Sequence, residues 1–454
     1  MKLNLIGGNK EGIRIAIDHE LSVNCYAIQR NGGVVQVGVM GSALFSTIAG
    51  SARGSIRMAG ITYAVFGTTL YRVNADGSNT NLGTISGSGR VYLATDQANI
   101  VIVTGYGNPG YVYNGTALAQ ITDPDFPGAD RVNFAGGYFT FSHAGGWFIS
   151  EVNAITFNAL DFVGRSGETD ILAQVDDHGE IVNFHADIIK VWINTGNSDF
   201  PFELNGAAII ERGVYSGDSV VQEDNTVFFL GNDLITYRME GYTPVMLGDE
   251  GISSALANYL QQGYETNLRS AYGYTYTDHG HKFYVLTIPD VATHVINIAT
   301  GLSHKLKHWD YETSNAHSYQ FCYGKHLIFG LDGNVYQQSR NYYDDAGDTL
   351  LITRRMTATS LDDALVNWKS VRLIFDTGHG LATRQGSDPK IMLRWYDDDG
   401  RTPRAERQLS IGQMGEYRKS VKTTGLGRSR RRIFEISQSD PVPFALLDAQ
   451  AVVT

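Results

Sequence analysis

Short apolar runs, each followed by a turn rich in Gly, Asn or Asp, recur through most of the chain. Residues 63–66 (YAVF) precede Leu70-Tyr71 and the turn Asp76-Gly77, and residues 100–103 (IVIV) precede Asn114-Gly115. Residues 138–141 (YFTF), 188–193 (IIKVWI), 227–230 (VFFL), 283–286 (FYVL) and 327–330 (LIFG) open comparable units. Runs of this length, rich in β-branched and aromatic residues and bounded by turn formers, predict strands. The seven starts lie 37, 38, 50, 39, 56 and 44 residues apart. That is the spacing of β-propeller blades, which take roughly 40–50 residues each. No WD or kelch signature recurs, and one unit can be split between terminal strands that close the ring, so the count is six or seven blades.

Helical periodicity is confined to residues 252–264 (ISSALANYLQQGY), with apolar positions at Ile252, Leu256, Leu260 and Tyr264. This segment occupies the longest gap between units and reads as an insertion in one blade. Beyond residue 361 the runs become longer and alternate: 371–375 (VRLIF), 391–395 (IMLRW), 432–436 (RIFEI) and 444–447 (FALL). They predict an antiparallel β-sandwich. The fold class is therefore all-β. Residues 1–50 are expected to form an N-terminal arm or edge strands, 51–360 the propeller, and 361–454 the additional sandwich. Residues 41–54 (GSALFSTIAGSARG) read as a flexible lead into the ring.

Composition narrows the function classes. The chain has 454 residues, 43% hydrophobic and 18% charged, with 51 Gly and 10 Pro. Such a chain is folded, turn-rich and long enough to bury a sizeable core without metal or disulfide staples. Two distant cysteines, Cys25 and Cys322, make a poor disulfide framework. The N-terminus lacks a secretory h-region, and no apolar stretch reaches the roughly 18 residues of a membrane span, so a soluble chain made in a reducing cytoplasm is expected. The net charge of −11 is uneven. From Val366 onward there are 15 Lys/Arg against 10 Asp/Glu, a net of +5, and the remainder carries −16. An acidic body with a basic end predicts different partners for the two parts, or contact between them across a subunit interface.

Several stretches carry a family resemblance. They are Gly87-Ser88-Gly89-Arg90-Val91; Asn194-Thr195-Gly196 with Asp199-Phe200-Pro201-Phe202 and Ile210-Glu211-Arg212-Gly213; His279-Gly280-His281-Lys282-Phe283-Tyr284; Thr300-Gly301 with His308-Trp309; and Gly425-Leu426-Gly427-Arg428 with the following arginines. From about Gly54 onward the chain resembles the packaged-DNA stabilisation, or tail nozzle (tail hub), proteins of short-tailed bacteriophages. The resemblance implies a structural virion protein of the tail, made in the host cytoplasm, and no enzyme. It also implies a homo-oligomer, a hexamer, below a tail adaptor, with needle, tip or fibre proteins below or beside it. Genomic DNA would be retained by the ring and pass through its channel. An acidic wall would suit that passage, because Lys/Arg neutralisation of phosphates makes binding tight and salt-dependent. A host-glycan-binding or depolymerase propeller of the tail is the alternative, and a pure adaptor a third reading.

No catalytic, cofactor or metal residue is assigned. His279 and His281 lack further ligands at suitable spacing and read as a hairpin turn. Asp397-Asp398-Asp399-Gly400 lacks the spacing of a calcium loop and reads as a turn. Trp147, Trp192, Trp309, Trp368 and Trp395 read as core. Arg428, Arg430, Arg431 and Arg432 form the one dense basic cluster and are the interface candidates. Three readings stay open for them: contact with DNA phosphate, pairing with carboxylates of a neighbouring subunit or adaptor, or a solvated strand edge.

Overall fold

The computed structural model describes residues 1–11, 19–30, 33–164, 169–197, 200–223, 225–248 and 250–454. Seven four-stranded antiparallel blades make a propeller. Their innermost strands are Ala52–Met58, Tyr92–Thr95, Arg131–Ala135, Ile171–Asp177, Val221–Glu223, Tyr272–Asp278 and Ala316–Cys322, here blades 1 to 7. Each innermost strand packs against the next, and that of blade 7 returns to blade 1. The second strand of a blade is covered by a neighbouring blade on each face, which removes the usual apolar–polar alternation. Hence Ile100–Val103 and the apolar residues of Thr226–Leu230 are buried throughout.

Polar side chains set the turns. Asp76 accepts from the Ser78 N–H, Asn114 from the Thr116 and Ala117 N–H groups, and Asp332 from the Asn334 N–H. In blade 4 the run at 188–193 belongs to the third strand, Ile189–Asn194. The second strand is Glu180–His185, masked in the sequence by Asn183, which is buried against the Gln174 side chain at 2.8 Å. This displacement accounts for the irregular 50-residue step.

Two helices, Glu250–Gln261 and Glu265–Arg269, link blades 5 and 6 rather than interrupting one blade. Ile252, Ala255, Leu256 and Tyr259 face Tyr284, Leu286 and Ile296 of blade 6. Leu260 and Tyr264, expected on that face, are exposed.

The described residues among the first fifty follow the edge-strand alternative rather than a separate arm. Gly41–Thr47 pairs with Asn334–Ser339 and is the outer strand of blade 7, and Ala52–Met58 is the innermost strand of blade 1, so residues 41–54 are two strands joined by a bend at 48–51 rather than a flexible lead. Cys25–Arg30 and Gly33–Gly38 form a hairpin that joins Ala445–Val453 in one sandwich sheet. His19–Val23 lies in the other sheet beside Ile352–Arg355, and Leu3 and Leu5 enter the sandwich core. Both termini therefore build the sandwich, and the propeller is inserted into it. Val23 also pairs in parallel with Lys305, so blade 6 and a sandwich sheet run together as eleven strands. The pairing capacity of strand edges drives this arrangement: an unpaired edge exposes a row of backbone donors and acceptors, and the N-terminal strands cover four of them.

Candidate assembly surfaces

The four arginines of the basic cluster do not form one surface. Arg432 begins the inner part of the strand Arg431–Gln438 and is 1% exposed. Its Nε and Nη2 donate to the two Asp397 carboxylate oxygens at 2.6 and 2.9 Å, and its Nη1 donates to the Leu426 carbonyl at 3.0 Å. Its guanidinium also lies 5.3 Å from the Trp368 ring centre. This corrects the expectation that Arg432 is open to a partner: the planar fork is used up inside the sandwich. Arg431 is exposed and 3.6 Å from Asp399. Arg430 is exposed and donates to the Asp363 carbonyl at 2.7 Å, and Arg428 is exposed. The Asp397–Gly400 stretch is a turn in which Asp398 accepts from the Arg401 and Thr402 N–H groups.

Separate outcomes follow for the two kinds of arginine. Arg432→Met leaves Asp397 without its bidentate partner and should cost about 2–3 kcal/mol in denaturant unfolding. Arg428→Glu with Arg430→Glu should change stability by no more than ~0.5 kcal/mol. A loss of assembly in the second variant with an unchanged unfolding midpoint would locate the interface at Arg428 and Arg430.

The propeller's own channel is bridged at one mouth. Arg131 of blade 3 pairs with Asp218, which precedes blade 5, at 2.8 Å and lies 3.7 Å over the Tyr92 ring of blade 2. Tyr92 donates to the same carboxylate, and Arg131 Nε donates to Leu172 O of blade 4 at 3.1 Å. Burial pulls the Arg131 guanidinium below its ordinary value, and Asp218 opposes the shift. Arg90 reaches across to the Tyr272 ring of blade 6 at 5.1 Å. A cavity of about 860 Å³ is lined by Ser55, Thr275 and Ser318 together with Tyr274, Tyr276 and Tyr319, with Glu223 as the single carboxylate among the described lining residues. A space of this size matches small-molecule pockets in volume.

The two domains are locked at their joint. Arg340 pairs with Asp278, which also accepts from Tyr26 Oη at 2.9 Å. Asn24, in a left-handed conformation at φ 54°, donates to the Lys307 and Leu351 carbonyls at 2.9 Å each. Arg354 is fully buried among Glu20 and the carbonyls of Leu5, Gly8 and Leu21. No local motif in the sequence marks these residues. The alternating apolar pattern of Leu3 and Leu5 was the available signal.

His279 (φ 51°) and Gly280 (φ 77°) form the hairpin turn between Asp278 and His281. No group of three or more potential metal ligands occurs among the described residues. Of the five tryptophans, Trp147, Trp368 and Trp395 are buried and Trp192 is half-buried. Trp309 is 52% exposed, contrary to the core reading, because it lies in the loop after blade 6. Phe200 and Phe202 pack on Trp147 at 5.4 and 5.6 Å, so they are core residues, while Asp199 lies outside the described residues. Gly213 sits where a Cβ would come within 1.9 Å of the Ala186 carbonyl, which fixes glycine there.

Two family models match the chain. The model described as "Bacteriophage P22 Gp10, beta-propeller" covers residues 1–336, and "Bacteriophage P22 Gp10, beta-sandwich" covers residues 352–454. The match begins at residue 1, so it includes the N-terminal strands. No curated protein matches. Among solved structures, the WD40 β-propeller domain of Doa1 is similar at 13% identity, over 66% of this chain and 97% of that one, with a TM-score of 0.42. The extracellular domain of a hybrid two-component system from B. thetaiotaomicron is similar at 10% identity, over 74% of this chain and 45% of that one, with a TM-score of 0.41.

Proposed function

The chain belongs to the Bacteriophage P22 Gp10 family and is a structural protein of the phage tail; from that premise we propose that it assembles as a ring, a hexamer, forming the tail nozzle below the adaptor. In this reading the ring extends the DNA channel, helps to retain the packaged genome and passes it at ejection. Needle, tip or fibre proteins adjoin it. The observation that carries the reading is the bridged channel mouth. With Arg131, Asp218 and Tyr92 joined across one mouth, the propeller of a single chain is not an open channel, which supports a DNA path formed between copies. The acidic body, net −16 before Val366, suits a wall that DNA leaves quickly, because few phosphates are neutralised. Retention then comes from width or a plug rather than affinity.

The patches that would meet across such a ring differ, the sandwich being basic and the propeller acidic. That favours head-to-tail contacts that close by rotation. Solution mass and negative-stain images of the protein, alone and with the tail adaptor, test the assembly. Sixfold rings with a central pore are the expected result. A monomer or trimer that ignores the adaptor and cleaves a surface glycan would overturn the reading in favour of a depolymerase.

A further inference from the structure

The innermost strands of blades 5, 6 and 7 supply most of the lining of the 860 Å³ cavity. Gln222, Glu223, Thr277 and Phe321, at or beside the ends of those strands, are exposed, so the cavity opens to solvent on that side. Its charge cancels. Glu223 and Lys282 stand 3.8 Å apart and, His326 aside, are the ionisable acid and base among the described lining residues. Burial holds His326 below its ordinary value, so its ring is neutral at about pH 7. Hydroxyls are left over. Tyr274 and Tyr276 line the cavity and are only 7% and 8% exposed. Neither hydroxyl has a hydrogen-bond partner among the described residues, and burial pushes both phenols up, so both remain donors. A buried hydroxyl in this position is unfavourable unless something in the cavity satisfies it.

A ligand for this space should be uncharged, because an anion would meet Glu223 and a cation Lys282. It should both donate and accept hydrogen bonds, and it should offer an apolar face to the aromatic ring at the opening. That ring is Phe321, 48% exposed and set edge-on against His326 at 5.0 Å. Sugars meet all three demands. Adjacent hydroxyls pair with a carboxylate or amide group, and the C–H face of the ring packs on an aromatic side chain. We propose that the cavity of the propeller binds a short neutral saccharide, with Tyr274, Tyr276, Gln222 and Glu223 on its hydroxyls and Phe321 against its C–H face. The volume suits a few sugar rings. Glycoside hydrolysis ordinarily takes a pair of carboxyl groups, and Glu223 stands alone among the described lining residues, so the site is one of recognition. The inference goes beyond the ring reading and does not depend on it.

The test is a saturation-transfer NMR titration of the full-length chain with maltotriose, cellotriose and N-acetylated chitotriose, and with trigalacturonate as the charged analogue. Binding of at least one neutral sugar in the millimolar range is expected, with trigalacturonate weaker by about tenfold or more. Tyr274→Phe combined with Tyr276→Phe deletes two hydroxyls and keeps both rings, and should weaken that sugar about tenfold. Phe321→Ala, at an exposed position, should weaken it about fivefold. Unchanged melting temperatures will show that the variants are folded. No transfer to any of the three neutral sugars, equal affinity for trigalacturonate, or an affinity unaltered in both variants would overturn the proposal. The ring is judged separately, by mass and imaging.

Discussion

Arg354→Met should be among the most damaging single substitutions in this protein, costing about 3–5 kcal/mol in the unfolding of the sandwich. Arg354 is 0% exposed and Glu20 6%. Removing the guanidinium strands the Glu20 carboxylate in the interior and leaves the Leu5, Gly8 and Leu21 carbonyls short of a donor, Arg354 Nη1 to Gly8 O being 2.7 Å. An unpaired buried charge is penalised far more than the intact pair is rewarded. Arg354→Met combined with Glu20→Met should therefore recover a large part of the loss. Denaturant titration of the wild type, the single variant and the double variant measures this. A single variant within 1 kcal/mol of wild type by this mutant cycle would mean that the joint does not depend on the pair. Gly7→Ala attacks the same joint sterically, because a Cβ there would lie 2.5 Å from Glu20 Oε1 and 2.7 Å from Arg354 Nη2.

Acid should weaken the fold well before its carboxylates titrate. His304 and His317 are buried and their pKa values are pushed down by burial to about 3, while His294 is held well below its ordinary value by burial and by nearby Lys305. His304 has no hydrogen-bond partner on either ring nitrogen and stacks 5.3 Å from the Tyr26 ring. The unfolded chain takes up these protons near pH 6.5 and the folded chain does not. Stability is thus fully present above about pH 6.5 and is lost as the pH falls toward the folded values, each group costing on the order of 2–3 kcal/mol by pH 4.5. Asp176, whose carboxyl is raised by burial and by Asp177, works weakly in the opposite direction at lower pH. Thermal melts between pH 7.5 and 4.5 should show a steep fall, and His304→Phe should flatten it by about one proton's worth of slope. A flat wild-type profile, or an unaltered slope in His304→Phe, would refute this account.

How much of this is legible in the sequence varies with the element. Blades 1, 2 and 5 announce themselves, because a strand covered on both faces must be apolar throughout, as residues 63–66, 100–103 and 227–230 are. Blade 4 is shifted in register, because Asn183 satisfies itself on Gln174 inside the core, a pairing invisible along the chain. The helix is found, but its buried face is rotated, since blade 6 rather than the local periodicity decides which side is covered. The arginine cluster is found as a cluster, yet Arg432 is spent on Asp397 and Trp368, and no spacing rule separates it from Arg430.

The sequence by itself determined the all-β class, the blade-length repeat, the change to a sandwich near the end, the charge division and the family resemblance. These are local or additive properties, readable from runs, turns and sums. Only the tertiary structure decided that His19–Val23, Cys25–Arg30 and Gly33–Gly38 complete the sandwich, that residues 41–47 close the seventh blade, and that Arg354 and Glu20 meet in the interior. It also brought Tyr92, Arg131 and Asp218 across the channel and gathered His308 with Asp345 and Asp348. The physical reason is that strand edges and buried charges are satisfied by whichever partner the closed ring brings near, and sequence distance sets no limit on that choice.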